Sequence, residues 1–528
     1  MASPLSPIAL KNPRFFTSSP HNIFNTKPKT LILTTTMKSC CSIVYSSSCT
    51  SINSSTTQQK QPLVSDNKRQ DDTLVKEEEE PELEEEVTLR EIWREVQGCN
   101  NWEGLLDPMN EHLRREIIRY GEFAQACYDS FDFDPHSKYC GSCKYHPSDF
   151  FSNLDLNLHK GYTITRYLYA TSNINLPNFF QRSKLSSIWS QHANWMGYIA
   201  VATDEEEVAR LGRRDIIIAW RGTVTYLEWI YDLKDILCSA NFGNDPLIKI
   251  ELGFHDLYTK KEDSCKFSSV SAREKVLAEV KRLLEYYGTG EEGHEISITV
   301  TGHSLGAALA LVSAYDIAEV NLNHIPENNY KVPVSVFSFS GPRVGNLRFK
   351  ERCEELGVKV LRVINVHDKV PSVPGIFANE KSQFQKYIED TTSFPWSYAH
   401  VGVELALDHK KSPFLKQTKD LGCAHNLEAL LHLVDGYHGK GDGKRFCLVS
   451  KRDIALVNKS CDFLRSDYHV PPCWRQDENK GMVKNRDGRW VLPDRPRLEP
   501  HRPEDIAHHL QKVLGKFNDG DPKPTTTT

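Results

Sequence analysis

The residues best suited to chemistry in this 528-residue chain are Gly302-His303-Ser304-Leu305-Gly306. A β-branched run, Ile296 to Thr301, precedes them, and a small-residue run, Ala307 to Tyr315, follows. G-x-S-x-G between a strand and a helix is the setting of a nucleophile elbow, in which the serine stands exposed on a tight turn. Side chains two positions either side would collide there, which calls for glycine at 302 and 306. The following helix directs its free N–H groups and positive dipole end at the reaction centre. A serine hydroxyl is a weak nucleophile, so it needs a base, and the base needs an orienting group.

In this strand–turn–helix setting the partners follow the serine in the order acid, then histidine. Asp368 directly follows a strand expected at 360–365, in a loop closed by Pro371 and Pro374, which ranks it above Asp390, Asp408 and Asp420. His400, His409, His425, His432 and His438 all lie beyond it. His425 leads because it opens a helical pattern running to Val434, and His432 stands second. The oxyanion of acyl transfer needs two donors. The N–H of Leu305 is one. The other is expected from Thr223, in Arg221-Gly222-Thr223 directly after a strand at 215–220. Tyr226, Leu227, Trp229, Ile230 and Leu233 then form an apolar stripe beside that loop, as a lid opening on lipid would. This chemistry requires no metal or cofactor.

The surrounding pattern supplies elements to hold these groups. Helical spacing is expected near Leu89–Val96, from Met109 to Phe131 and from Ala272 to Tyr287. Strands are expected at 196–202, 215–220, 334–339 and 360–365, with a shorter one at 399–405. Strands alternating with helices argue a mostly parallel sheet covered on both faces. Beyond Phe446 the pattern weakens: 447–449 and 489–492 read as short strands, and 503–517 as a terminal helix.

Composition separates the chain into parts. Residues 1–65 contain six Lys or Arg, no Asp or Glu, and abundant Ser and Thr. That is the composition of a disordered organellar transit peptide, with Ser and Thr favouring the chloroplast. Residues 66–87 form an acidic linker around Glu77–Glu80 and Glu84–Glu86. A catalytic domain is expected over 88–518, with an extension from about 446 and a disordered tail at 519–528. The whole chain has a net charge of −5. Without the leader, 59 basic residues stand against 70 acidic ones, which argues against nucleic-acid binding. No apolar run is long enough for a transmembrane anchor, so contact with lipid would be at a membrane surface. The 14 Cys lack a disulfide-framework spacing. Cys140-Gly141-Ser142-Cys143 is a lone C-x-x-C, more consistent with a loop or redox pair than with a zinc site.

Taken together, Ala219–Thr223, the 226–233 stripe, Gly302–Gly306, Ser340–Asn346, Asp368–Pro371 and His425–Glu428 resemble the plant class 3 lipases. The block from Leu89 through Asn101–Pro108 is similar to the chloroplast phospholipase A1 enzymes of the class I gamma type. The resemblance spans roughly residues 88–450. It implies an α/β-hydrolase-like fold, a Ser304–His425–Asp368 triad, and oxyanion donors at Thr223 and Leu305. It further implies release of the sn-1 acyl chain from phospholipids such as phosphatidylcholine and from galactolipids, at plastid membranes or plastoglobules. A triacylglycerol or small-ester hydrolase, and a lipase-like scaffold without activity, are the rival expectations.

Overall fold

Seven strands form the central sheet: β1 (Tyr162–Thr171), β2 (Ala193–Ala202), β3 (Arg214–Trp220), β4 (Ile296–His303), β5 (Val334–Phe339), β6 (Lys359–Asn365) and β7 (Val403–Leu407), hydrogen-bonded in that order. The first two pairings are antiparallel and the following four are parallel. This computed structural model describes residues 87–154, 161–171, 184, 192–223, 236–288, 295–326, 329–374, 398–441, 445–475, 478–494, 507 and 510–511. The chain divides at Glu82/Leu83, and every described residue belongs to the second unit. The leader at 1–65, residues 66–86 of the linker, the 226–233 stripe, Asp390 and the tail at 519–528 lie outside the described residues.

Successive strand residues point to opposite faces, so a sheet covered on both sides builds two cores from alternate positions. Ile216, Ile218, Trp220, Ile298, Val300 and Val336 join one core, while Ile217, Ala219, Phe337, Phe339, Leu361 and Val363 join the other. Helices α3 (Ala272–Gly288) and α4 (Leu305–Glu319) pack on the first face. Helices α1 (Leu89–Val96), α2 (Glu111–Asp129) and α6 (Leu427–Gly436) pack on the second. A further helix, α5 (Leu347–Glu355), precedes β6. Leu113, Ile117, Tyr120, Ala124 and Cys127 recur at the three-to-four-residue spacing that forms a single apolar face on α2. Every residue of α4 from Leu305 to Ala318 is buried, which explains its small side chains: bulkier ones would hold the helix off the sheet.

A buried carboxylate in the second layer is well paired. The Asp215 carboxylate accepts from Tyr120 at 2.9 Å, Tyr162 at 3.1 Å, Ser297 at 2.8 Å and Thr299 at 2.7 Å. Burial would raise its pKa, but Arg213, Arg119 and those hydroxyls outweigh burial and hold it below the ordinary value.

The segment after α6 has little regular structure, yet it is tied to the domain. Phe463, Leu464 and Val457 enter the second core. Arg452 pairs with Glu122 on α2 at 3.3 Å and with Glu428 on α6. Lys459 bridges Asp129 and Glu428, all three side chains being nearly inaccessible to water. The expected strand at 447–449 does not form; that at 489–492 does, as Trp490–Val491 paired with Val483–Lys484. Of the terminal helix only residues 507, 510 and 511 are described, and they are helical.

Removing one member of a buried ion cluster strands the others away from water. Lys459→Met should therefore destabilise the protein by about 3 kcal/mol in urea denaturation. An unchanged midpoint would show that these charges do not hold the extension in place.

Candidate active site

β4 ends at His303 and α4 begins at Leu305, leaving Ser304 alone at the turn with φ 61° and ψ −127°. A non-glycine residue holds such a conformation only when its surroundings impose it. Here the Ser304 N–H donates to the Phe339 carbonyl at 2.9 Å, and the Ala307 N–H donates to the Ser304 carbonyl at 3.0 Å. A Cβ on Gly302 would lie 2.3 Å from the Gly306 backbone, and one on Gly306 would lie 2.4 Å from the Trp220 carbonyl oxygen. Both glycines are thus required by direct backbone approach. The Ser304 Oγ is buried and has no hydrogen-bond partner among the described residues.

The Arg221–Thr223 segment follows β3 and runs alongside the elbow. A Cβ on Gly222 would fall 2.5 Å from the His303 carbonyl oxygen and 2.1 Å from the Tyr128 hydroxyl. Arg221 lies fully inside: its Nε donates to the Trp195 carbonyl at 3.0 Å, an Nη donates to the Gly222 carbonyl at 2.8 Å, and the guanidinium stacks 3.8 Å above the Phe131 ring. Burial lowers its pKa to about 10, so it remains a cation at neutral pH. The neighbouring Thr223 hydroxyl, like that of Ser304, is buried without a partner among the described residues. Two unpartnered hydroxyls at the same end of adjacent strands are what a site awaiting a polar ligand group would present.

Asp368 and His425 meet directly. The loop after β6 turns at Asn365, whose carbonyl accepts from the Asp368 N–H at 2.9 Å. One Asp368 carboxylate oxygen accepts from the Val370 N–H at 3.0 Å, and the other accepts from His425 Nδ1 at 2.6 Å. Both side chains are almost wholly inaccessible to water. With Nδ1 bearing the proton toward Asp368, the opposite nitrogen, Nε2, is left as the basic one.

His425 does not open a helix, as its sequence pattern suggests. It sits between a short helix, Leu421–Ala424, and Asn426, the side chain of which caps α6 by accepting from the Ala429 N–H at 2.9 Å. Its backbone is held from two sides. The Asn365 amide donates to the Ala424 carbonyl at 2.9 Å. His303 Nε2 donates to the His425 carbonyl at 2.8 Å, which fixes the His303 tautomer and lets Nδ1 accept from the Tyr128 hydroxyl at 2.8 Å. The His303 and His425 rings lie 4.5 Å apart between centroids. Burial, reinforced by His425, pushes the pKa of His303 well below the usual range and keeps it neutral. Residue 303 is thus a structural strut between the elbow and the His425 backbone.

The competing residues are occupied elsewhere. His400 faces the Pro371 carbonyl at 2.8 Å, His432 faces the Ser412 hydroxyl at 2.8 Å, and His438 faces the Cys447 carbonyl at 2.8 Å. Burial lowers the pKa of His432 to about 3, a poor value for a base at neutral pH. Asp420 caps the short helix before His425. Asp408 and His409 lie next to His367. The strand expected at 399–405 is broken: Tyr398–Ala399 joins a small second sheet, and β7 begins only at Val403. Cys140 and Cys143 are free thiols, and burial raises that of Cys140 to about 11. Tyr128, Asn365 and the role of Arg221 escape the sequence argument. Each acts through a contact with a residue distant along the chain, and only Tyr128 has a local signal, as part of an apolar helical pattern.

The model of the family described as Lipase (class 3) matches residues 217–378. Phospholipase A1-Igamma3, chloroplastic, of Arabidopsis thaliana is 86% identical over the full length of both chains. The chain belongs to the plant class 3 lipase family. Within it, this lipase falls with the chloroplast phospholipase A1 proteins of the class I gamma type. Phospholipase A1-Igamma2, chloroplastic, of the same plant is 58% identical, covering 81% of each chain. Among solved structures, the native Rhizomucor miehei lipase propeptide complex is 17% identical, covers 65% of this chain and 84% of its own, and has a TM-score of 0.35.

A methyl group at position 222 must displace backbone, since the His303 carbonyl cannot swing aside as a side chain can. Gly222→Ala should lower kcat on a soluble short-chain ester by about 10²-fold or more, through displacement of the Thr223 donor, while circular dichroism stays unchanged. Undiminished kcat would remove this loop from the site.

Proposed function

We propose that this lipase hydrolyses the sn-1 ester of membrane glycerolipids by an acyl-enzyme route. The observation that carries the proposal is the buried 2.6 Å contact between Asp368 and His425 beside a strained turn presenting the Ser304 hydroxyl. His425 Nε2 takes the proton from Ser304 Oγ as the oxygen attacks the ester carbonyl. Asp368 holds the imidazole in the correct tautomer and stabilises the imidazolium that forms. The N–H groups of Leu305 and Thr223 receive the charge that develops on the carbonyl oxygen, and the α4 dipole adds to that field. The proton then passes from His425 to the departing glyceryl oxygen. Water, deprotonated by the same imidazole, releases the fatty acid and restores Ser304.

The phospholipid and galactolipid substrate class rests on the relatives, named phospholipase A1 and, for an Arabidopsis thaliana relative 44% identical over 66% of this chain, Galactolipase DONGLE. Among the described residues, no helix is long and apolar enough to cross a membrane. Substrate would be met at the bilayer surface, with the 226–233 stripe as the covering flap. Residues 1–65 would direct the chain to the chloroplast, in keeping with their acid-free composition and the chloroplastic names of the relatives.

On phosphatidylcholine carrying different acyl chains at its two positions, the protein should release the sn-1 chain. Ser304→Ala should lose about 10⁶-fold in kcat, and Asp368→Asn about 10⁴-fold, at unchanged thermal stability. Release of the sn-2 chain alone would overturn the positional assignment. Hydrolysis of triacylglycerol but not phospholipid would transfer the enzyme to the rival substrate class, and activity surviving Ser304→Ala would remove the serine from the mechanism.

A further inference from the structure

At the carboxyl ends of β6 and β7 lies a second group of ligating side chains that the proposed hydrolysis does not use. His367, Asp408 and His409 each offer a ligand atom, all within 4.8 Å of one another. His367 follows β6 and Asp408 follows β7, so the parallel pairing of these two neighbouring strands brings the groups together. His367 Nε2 lies 3.0 Å from an Asp408 carboxylate oxygen, and the His367 and His409 rings are 4.6 Å apart between centroids.

The state of His409 indicates what the cluster could hold. The residue is 1% exposed, and its Nε2 has no hydrogen-bond partner among the described residues. Leaving a buried ring nitrogen unsatisfied is unfavourable unless something occupies it. Its Nδ1 lies 3.2 Å from the Asn365 side-chain oxygen and 3.1 Å from the side-chain nitrogen, so the amide can accept from it or donate to it. Donation from Nδ1 to the Asn365 oxygen would leave Nε2 with its lone pair, as when a neighbouring oxygen orients a metal-bound histidine through its other ring nitrogen. The Asp408 oxygen that faces His367 also accepts from the Lys410 N–H at 2.9 Å, which fixes the carboxylate beside the two rings. His367 and Asp408 are each 31% exposed at the side chain, which gives an ion a way in and room for water ligands.

We propose that His367, Asp408 and His409 form a binding site for a divalent transition metal of the zinc class. Two imidazoles and one carboxylate suit such ions better than calcium or magnesium, which prefer oxygen alone. Bonds of about 2.1 Å set tetrahedral ligands about 3.4 Å apart, so gaps of up to 4.8 Å must close by as much as about 1.4 Å, through turning of the side chains about their own bonds. The site is separate from the hydrolytic chemistry but joined to its frame. His367 is the residue before Asp368, and Asn365 contacts both His409 and the carbonyl preceding His425.

Cobalt is the suitable probe, because its visible absorption distinguishes nitrogen and oxygen ligands from the chain's thiols. The full-length protein should bind one equivalent of Co²⁺ saturably, with d–d bands and no thiolate charge-transfer band, and Zn²⁺ should displace it. Asp408→Asn, which keeps an oxygen for the Lys410 N–H, and His367→Gln should each weaken binding tenfold or more with circular dichroism unchanged. Absence of saturable binding, a thiolate spectrum, or affinity unaffected by both substitutions would overturn the proposal.

Discussion

At the carboxyl end of the sheet, the ends of β3 and β4 and the start of α4 approach until no Cβ fits between them. Gly306 lies against the Trp220 carbonyl, Gly302 against Gly306, and Gly222 against the carbonyl of His303. This crowding forces Ser304 into its left-handed conformation and aligns the Thr223 loop with the N-terminus of α4. The proposed nucleophile and its proposed charge-stabilising donors therefore derive from one packing constraint. The small side chains of α4 serve the same end, because they let the helix sit close enough to the sheet for its first turn to face the reacting carbonyl.

The second requirement is electrical. A base that must accept a proton near neutrality needs a fixed negative partner and neutral neighbours. Asp368 supplies the first through a buried contact anchored by the Val370 N–H. His303 supplies the second: burial keeps it neutral, so it braces the His425 backbone without adding a repelling charge. Tyr128 extends the brace to α2, and Asn365 provides its counterpart from β6. Three regions distant in sequence, α2, the end of β4 and β6 with the loop after it, thus determine the position of a single imidazole, which suits catalysis that depends on placement within a fraction of an ångström.

Much of this was legible from residue order. The G-x-S-x-G turn, Asp368 beyond a strand and Thr223 beyond another follow from local chemistry and strand–helix alternation, and the structure sets them at one end of the sheet. Alternate burial of Ile216 and Ile217 in different cores is what a sheet covered on both faces demands. The gaps have physical causes. The break between Tyr398 and Val403 falls in a run whose composition suits a strand throughout; Gly402, at φ +89°, takes a conformation that composition does not reveal. The region after Phe446 is held by buried ion pairs and a few large side chains such as Trp474, which leave no periodic trace. Tyr128 and Asn365 owe their roles to partners far along the chain, and periodicity carries no such information.

The central claim is that Ser304 is a nucleophile activated by the His425–Asp368 pair. Its most direct test is covalent capture by a fluorophosphonate, with the adduct located by peptide mass spectrometry on full-length protein in detergent or mixed lipid micelles. One adduct per chain on Ser304, abolished when His425 is replaced by Ala, is the predicted result. No adduct, an adduct on another serine, or labelling at full rate without His425 would contradict the account.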